Sequence, residues 1–501
     1  HLQAFAGRFI HPCSVELVIV APGAFGVIHR DICIAQQGVA IATITREDAD
    51  AYARRGIQSV LANLVAVCQK TLDLAGNADY CETYLLVQDN QGFCNNDHVT
   101  VAGALKTEDQ TALQDAEIEL NGSHPALPTI NMFDQSGNDG SFVFSNTIPV
   151  ASDYTVTPSL DVDHLNGVST YDLVLINKHI LGIETFGSPY KIIAADANNS
   201  KSVTTFDIAE LRKLILGIYT ELPQNTSWRF VDAAYAFPTP DNPFAPAFPE
   251  SKSTAAVQAN QMGEDFVAVK IGDGNQSAIA NSLVTTNDRT SRALLLDLED
   301  QLVREGEEVV VNFTAAEKVL GYQFTLLLNG LEVREILPGT GMTMQHFGVF
   351  ENAVTTSFDS DVQGEFTLVF RAVQSGSLRN MLGISGSITP SEAYDINGDK
   401  LEVALRFNGS DVQGIGFELY QNQPNPFVSK TVIGFYLPEA GEATLSVFDE
   451  SGRLVYTQKG DFAKGHNNVS LDRSQVNGSG MLYYKLVSGE NSASKKMIQI
   501  K

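Results

Sequence analysis

The chain has 501 residues, 59 acidic side chains against 33 basic ones and a formal net charge of −26. Like charge repels nucleic acid and anionic membrane surfaces, so neither is expected as a partner, whereas cations are compatible. No apolar run reaches the roughly 18 residues of a transmembrane helix; an apolar content of 44% supports packed cores, and one domain per roughly 150 residues predicts three or four of them.

His1 is not an initiator methionine, and no basic n-region or apolar signal core follows it. The expectation is a mature form or a fragment. Cys13, Cys33, Cys68, Cys81 and Cys94 all lie near the front. Two disulfides with one leftover thiol fit an exported protein. The alternative is five reduced, buried cysteines.

Strand signals dominate the rest. β-branched and aromatic runs alternate with Gly, Asn, Asp and Ser turns, as in TINMFDQSGNDGSFVFSN and EEVVVNFTAAEKVLGYQFTLLLNG. This spacing predicts β-sandwiches. Two stretches break it: Asp172 to Ile183 and Asp207 to Ile218 carry apolar residues at helical spacing and end in Leu-Gly-Ile. Gly182 and Gly217 read as helix stops. Residues 239–250 are Pro-rich and read as an extended connector, and residues 272–290 read as a linker.

Within this frame, GNADYCETYLLVQDNQGFC at residues 76–94 makes residues 1–96 resemble a hyalin-repeat or immunoglobulin-like module. Residues 97–160, with VAGALKTEDQTALQDAEIEL and DGSFVFSNTIPVASDYTVTP, resemble a carboxypeptidase-regulatory-like sandwich, usually a non-catalytic spacer.

The most specific chemistry is an internal repeat. Asp161 and Asp196 each begin a loop of twelve residues that runs into one of the two helical stretches. A calcium loop takes oxygen ligands from positions 1, 3, 5, 7, 9 and 12. The second loop supplies Asp196, Asn198, Ser200, the Ser202 carbonyl, Thr204 and Asp207. Ser200 is a weaker ligand than aspartate, which predicts reduced affinity. The first loop supplies Asp161, Asp163, Ser169 and Asp172, but Leu165 occupies position 5, and Asn166 is the substitute if the loop bulges at Gly167. The competing reading makes Asp172 and Asp207 helix N-caps only. The pair resembles a type I dockerin over residues 161–222, a family in which calcium fixes the fold and the helices dock on a cohesin. Its recognition pair reads Thr170-Tyr171 and Thr205-Phe206 here, so ordinary cellulosomal pairing is not implied. The dockerin-like module with its extension spans residues 161–275, and the extension resembles parts of large surface proteins of Bacteroidota-like bacteria. Trp228 is expected to pack the extension onto the helices, with sugar stacking as the alternative.

Residues 291–408 resemble a cohesin-like sandwich through EEVVVNFTA, LGYQFTLLLNG, GEFTLVFRA and ITPSEAYDINGD. Residues 417–501 resemble a type IX secretion C-terminal sorting domain through Pro424-Asn425-Pro426-Phe427, the Asp449 to Arg453 turn, MLYYKL and Lys495-Lys496. The fold class expected is therefore mainly β, with tandem immunoglobulin-like β-sandwiches and one small α-helical, calcium-binding module.

Catalytic motifs are missing: the sequence has no H-E-x-x-H, P-loop or G-x-S-x-G. Gly339-Thr340-Gly341 reads as a turn, and His164 and His179 as surface residues. The function expected is a non-enzymatic, calcium-binding structural or adhesion protein, secreted or held at the cell surface after export across the outer membrane. Its expected partners are other copies of itself, other surface proteins, polysaccharide and the type IX secretion machinery. A cohesin-like and a dockerin-like module on one chain imply head-to-tail filaments, an intramolecular contact or independent beads, since a heterologous contact that does not close propagates. The alternative function is the non-catalytic C-terminal part of a secreted carbohydrate-active enzyme.

Overall fold

The computed structural model describes backbone strands at residues 2–4, 14–21, 24–31, 42–44, 63–72 and 78–88. It also describes residues 98–124, 127–281 (backbone alone at 127–128), 292–360, 362, 364–428, 430–476 and 480–500. The protein divides into two compact units: residues 1–100 with 145–152 and 256–260, and the remainder.

The first unit contains an antiparallel sheet ordered Ala24–Asp31, Ser14–Ala21, Ala78–Gln88, Asn63–Leu72. Its register sets Gln69 opposite Cys81 and Cys68 opposite Glu82. The expected disulfides lie outside the described residues.

The second unit begins with a sandwich of two four-stranded sheets. Within this unit one is ordered 141–144, 101–106, Phe266–Lys270, Trp228–Asp232, and the other Lys252–Thr254, Asp153–Ser159, Glu117–His124, Leu127–Gln135. Strands from beyond residue 222 thus complete both sheets. Phe266 pairs in parallel with Leu105, and Tyr154 pairs with Thr254. The boundary expected at residue 160 falls inside one sandwich, whose chain leaves to build the helices and returns. Trp228 is only 3% exposed and is built into this sheet, so it offers no open face for a sugar.

The excursion forms α1 (Thr170–Ile180), α2 (Pro189–Ala195) and α3 (Thr205–Ile215). Helices α1 and α3 begin with capping boxes, Ser169 with Asp172 and Thr204 with Asp207. Both end in Schellman motifs: Gly182 and Gly217 take positive φ, while the Ile183 and Ile218 N–H groups reach back to the Lys178 and Lys213 carbonyls. Leu173, Ile176, Leu211, Leu214 and Ile215 face a shared core with Val231 and Ile271.

An eleven-stranded sheet system follows, folded around Phe313, Phe324, Phe358, Phe370 and Phe407. Its strands include Gly321–Leu328, Ala353–Phe358 and Glu392–Tyr394, which pair side by side. Gly339 to Met342 is a turn, as expected. The last domain packs the sheet Glu418–Leu419, Lys430–Leu437, Gly465–Asp472 on the sheet Leu454–Phe462, Gly441–Phe448, Gly480–Ser488, Asn491–Gln499, around Phe427, Phe435 and Tyr484. The Asp449–Arg453 turn closes by an Arg453 N–H bond to Asp449. The protein is mainly β, and no helix among the described residues is long and apolar enough to cross a membrane.

Candidate functional site

The second loop gathers its oxygens at the start of α3. Asp196 accepts from the Ser200 N–H (2.8 Å) and the Lys201 N–H (2.8 Å), and the Asn198 side chain also accepts from the Ser200 N–H (3.0 Å). The Ser200 hydroxyl donates to the Ser202 carbonyl (3.1 Å), and Asp207 accepts from the Asn198 N–H (3.1 Å) and the Thr204 N–H (2.8 Å). Lys201 sits at φ 65°, which turns the loop at its sixth position. Asp196, Asn198, Ser200, Ser202 and Asp207 therefore share one loop interior, while Thr204 turns its hydroxyl to cap the Phe206 N–H.

The electrostatics of this loop favour a cation. Asp196 and Asp207 are both buried. Burial pushes both carboxyls above the usual range, and Asp196 pushes Asp207 further. The nearby Arg229 guanidinium is paired with Glu250 at 2.8 Å. The donors are carboxylate, amide, hydroxyl and carbonyl oxygens, the hard set that calcium takes, so the residues fit that ion. Among the described residues no three His, Cys, Asp or Glu side chains come together to hold a metal. The centre is accordingly a mixed-oxygen site or none.

The first loop does not gather its expected set. Asp161 accepts from the Ser227 N–H (2.7 Å) and pairs with His164 (3.0 Å). Asp163 is exposed at φ 45°. Asn166 exchanges two hydrogen bonds with the backbone of Ile279, both 2.9 Å. Only Ser169 and Asp172 meet, in the capping box. The physical reason is Leu165, which packs against the helical core instead of facing the loop. Asp172, fully buried, accepts instead from the Gly274 and Asn275 N–H groups at 2.9 and 3.2 Å. Burial raises its carboxyl well above the usual range, and neighbouring Asp273 adds to that. The expected linker from Gly272 is thus bound structure at least to Asn281.

Two basic groups depart from expectation as well. His164 is 6% exposed rather than a surface residue, and it accepts from the Leu222 N–H at 3.1 Å. Lys270 is buried, its ammonium donating to the His164 and Ile271 carbonyls. Burial pulls its pKa down to about 8 against the pull of Asp163 and Asp273.

The helices α1 and α3 clasp the large sandwich of the same chain. The Thr170 N–H donates to Gln323 (2.6 Å) and the Thr170 hydroxyl meets Ser357 (2.8 Å). Tyr171 stacks on Tyr394 with centroids 4.8 Å apart. At the far end, Thr389 and Thr355 donate to the Ile215 and Leu216 carbonyls at 2.6 and 2.8 Å, satisfying two of the free carbonyls at the end of α3. Arg212 pairs with Asp359 at 2.7 Å, both nearly inaccessible to water. Burial pushes the Asp359 carboxyl up, but His346 and Arg212 more than offset this and hold it below the usual range. Close approach needs glycine here: a Cβ on Gly398 would lie 2.4 Å from the Tyr171 hydroxyl, and one on Gly217 2.3 Å from Ile388. Phe206, the counterpart of Tyr171 in the second repeat, is 73% exposed.

Residues 423–501 match the family described as "Secretion system C-terminal sorting domain". No curated protein matches the chain in sequence. Among solved structures, a non-cellulosomal cohesin from the hyperthermophilic archaeon Archaeoglobus fulgidus is similar at 22% identity and TM-score 0.18, over 23% of this chain and 86% of that one. A tetra-tandem repeat in the extending region of a large adhesion protein is similar at 11% identity and TM-score 0.13, over 98% and 93%. Dimeric latent PorU from Porphyromonas gingivalis is similar at 12% identity and TM-score 0.19, over 83% of this chain and 35% of that one. The C-terminal domain is a type IX sorting domain, and it directs the chain across the outer membrane to the cell surface.

Proposed function

We propose that this is a structural or adhesion protein of the cell surface in which a calcium-organised helical module is clasped by the cohesin-like sandwich of its own chain. The observation that carries the reading is the buried clasp. Thr170 and Tyr171, the pair that the dockerin resemblance marks as the recognition residues, are bound to Gln323, Ser357 and Tyr394. Calcium, when bound, would neutralise the Asp196 and Asp207 pair and draw the loop oxygens around itself. The chain's own residues do the rest: Thr204 caps α3, and Arg212, Ile215 and Leu216 fasten it to the sandwich.

The clasp supports a closed subunit over a head-to-tail filament. A filament through the same surfaces requires copies to exchange helices, because the Thr170-Tyr171 end of α1 and the Arg212 to Leu216 end of α3 are occupied at home, although Phe206 at the start of α3 is exposed. The test uses the full chain with calcium or with a chelator, followed by light scattering, negative-stain imaging and amide exchange of residues 170–215. Monomers whose helices lose protection on chelation are expected. Fibres that vanish on chelation refute the closed subunit, and exchange indifferent to calcium refutes the metal.

A further inference from the structure

We propose a second divalent-cation site at the start of α1, built from separated parts of the chain: Asp273, Asn275, Ser277, the Gly167 carbonyl and Asp172. The proposal rests on the calcium reading of the second loop and extends it to residues outside either expected loop.

The two donor sets agree group by group. Asp196 accepts from the Ser200 and Lys201 N–H groups; Asp273 accepts from the Ser277 N–H (3.0 Å) and the Ala278 N–H (2.9 Å). The Asn198 side chain accepts from the Ser200 N–H, and the Asn275 side chain from the Ser277 N–H (3.1 Å). The Ser200 hydroxyl donates to the Ser202 carbonyl; the Ser277 hydroxyl donates to the Gly167 carbonyl, also at 3.1 Å. Asp207 accepts from the Asn198 and Thr204 N–H groups; Asp172 accepts from the Asn275 and Ser169 N–H groups. Asp273, Asn275 and Ser277 thus hold positions 1, 3 and 5, and residues 167–172 hold positions 7 to 12.

The break in the chain falls between positions 6 and 7. There Gly167 abuts Ala278 so closely that a Cβ on the glycine would lie 2.6 Å from the Ala278 nitrogen and Cα. The paired bonds between Asn166 and Ile279 hold the two ends together where the second loop has a peptide bond.

A separate observation asks for a cation. Asp172 and Asp273 are 0% and 5% exposed, lie beside one another, and form no ion pair among the described residues. Lys270 spends its ammonium on the His164 and Ile271 carbonyls. The buried Lys270 offsets part of their charge without pairing with either carboxylate, and two buried carboxylates against one lysine still leave negative charge away from water, a cost that a divalent ion among hard oxygens removes. An ion here would tie the end of strand Phe266–Lys270 to the start of α1, and so the first sandwich to the clasp.

The test is equilibrium dialysis of the full chain against calcium, with terbium luminescence as a second readout. The wild type is expected to bind two equivalents. Asp273→Asn, and Ser277→Ala at an exposed position, should weaken one equivalent by about tenfold or more. Asp196→Asn should weaken the other, and Asp161→Asn with Asp163→Asn should leave both. Circular dichroism of each variant confirms its fold. One equivalent in the wild type, lost with Asp196→Asn, overturns the composite site and leaves the second-loop reading standing. No bound calcium at all overturns both. Loss of an equivalent with Asp161→Asn and Asp163→Asn, but not with Ser277→Ala, assigns the ion to the contiguous first loop and also overturns the proposal.

Discussion

Replacing Arg212 with alanine isolates the energetics of the clasp. The guanidinium and the Asp359 carboxylate lie 2.7 Å apart with side chains 10% and 9% exposed, so removing one partner strands the other charge away from water. Such a loss typically costs about 3–5 kcal/mol. His346 remains 3.6 Å from Asp359 and cushions the carboxylate, so the lower end, about 3 kcal/mol, is expected. At about 1.4 kcal/mol per decade, amides of α1 and α3 that open through release of the clasp should exchange roughly a hundredfold faster. Local exchange is the right assay, because a chain of several domains has no single unfolding free energy. The pH dependence has a definite sign. Asp359 is depressed in the folded wild type, so its contribution is present above the unfolded value of about 3.9 and is lost as pH falls through the lower folded value. In the variant, burial acts without the guanidinium, so the deficit should be largest near neutrality and shrink towards pH 4. Pairing Arg212→Met with Asp359→Leu should recover most of the loss, since an apolar pair carries no stranded charge. Helix exchange within twofold of wild type in the single variant, or a double variant no better than the single, would refute the reasoning.

Other consequences can be measured on the same protein. Calcium at about a hundred times its dissociation constant should stabilise the helices by about 2.7 kcal/mol, seen as slower exchange of residues 205–215; no change on adding chelator counts against it. Gly217→Ala should loosen the clasp by about 2–4 kcal/mol, combining left-handed strain at φ 71° with a Cβ 2.3 Å from Ile388. Exchange of the α3 amides reports it, and an unchanged rate contradicts the packing. Asp449, held down to about 2 by the Ser451 hydroxyl and the Arg453 N–H, contributes above the unfolded value of about 3.9 and loses that contribution as pH falls through about 2. Asp449→Ala should therefore flatten the acid dependence of exchange in strands Gly441–Phe448 and Leu454–Phe462, and parallel curves for variant and wild type would exclude the role.

What the sequence revealed and what it hid follow from how far each signal reaches along the chain. Helices α1 and α3 were legible because their cues are local, apolar residues at helical spacing with Gly182 and Gly217 at the stops, but their N-caps are Ser169 and Thr204 rather than Asp172 and Asp207, and the short α2 was not read. The gathering of Asp196, Asn198, Ser200, Ser202 and Asp207 was legible because they fall within one stretch. The pairing of Phe266 with Leu105 leaves no local trace, so the sandwich looked complete at residue 160. The stretch from Gly272 looked like a linker because Gly, Asn and Ser are turn residues. Its Asp-x-Asn-x-Ser spacing repeats that of residues 196–200, and this was the available signal. The clasp face was hidden for a different reason. Strand Gly321–Leu328 alternates apolar and polar residues, which reads as one face inward and one face to water. Yet Gln323 and Thr325 are 0% exposed, and so are Thr355 and Ser357 on the neighbouring strand. These outward residues are hydroxyls and an amide without charge. They are groups that can donate and accept hydrogen bonds at a helix end without the desolvation cost of an ion. An outward strand pair rich in Thr, Ser and Gln is therefore better read as a docking surface than as a solvated one.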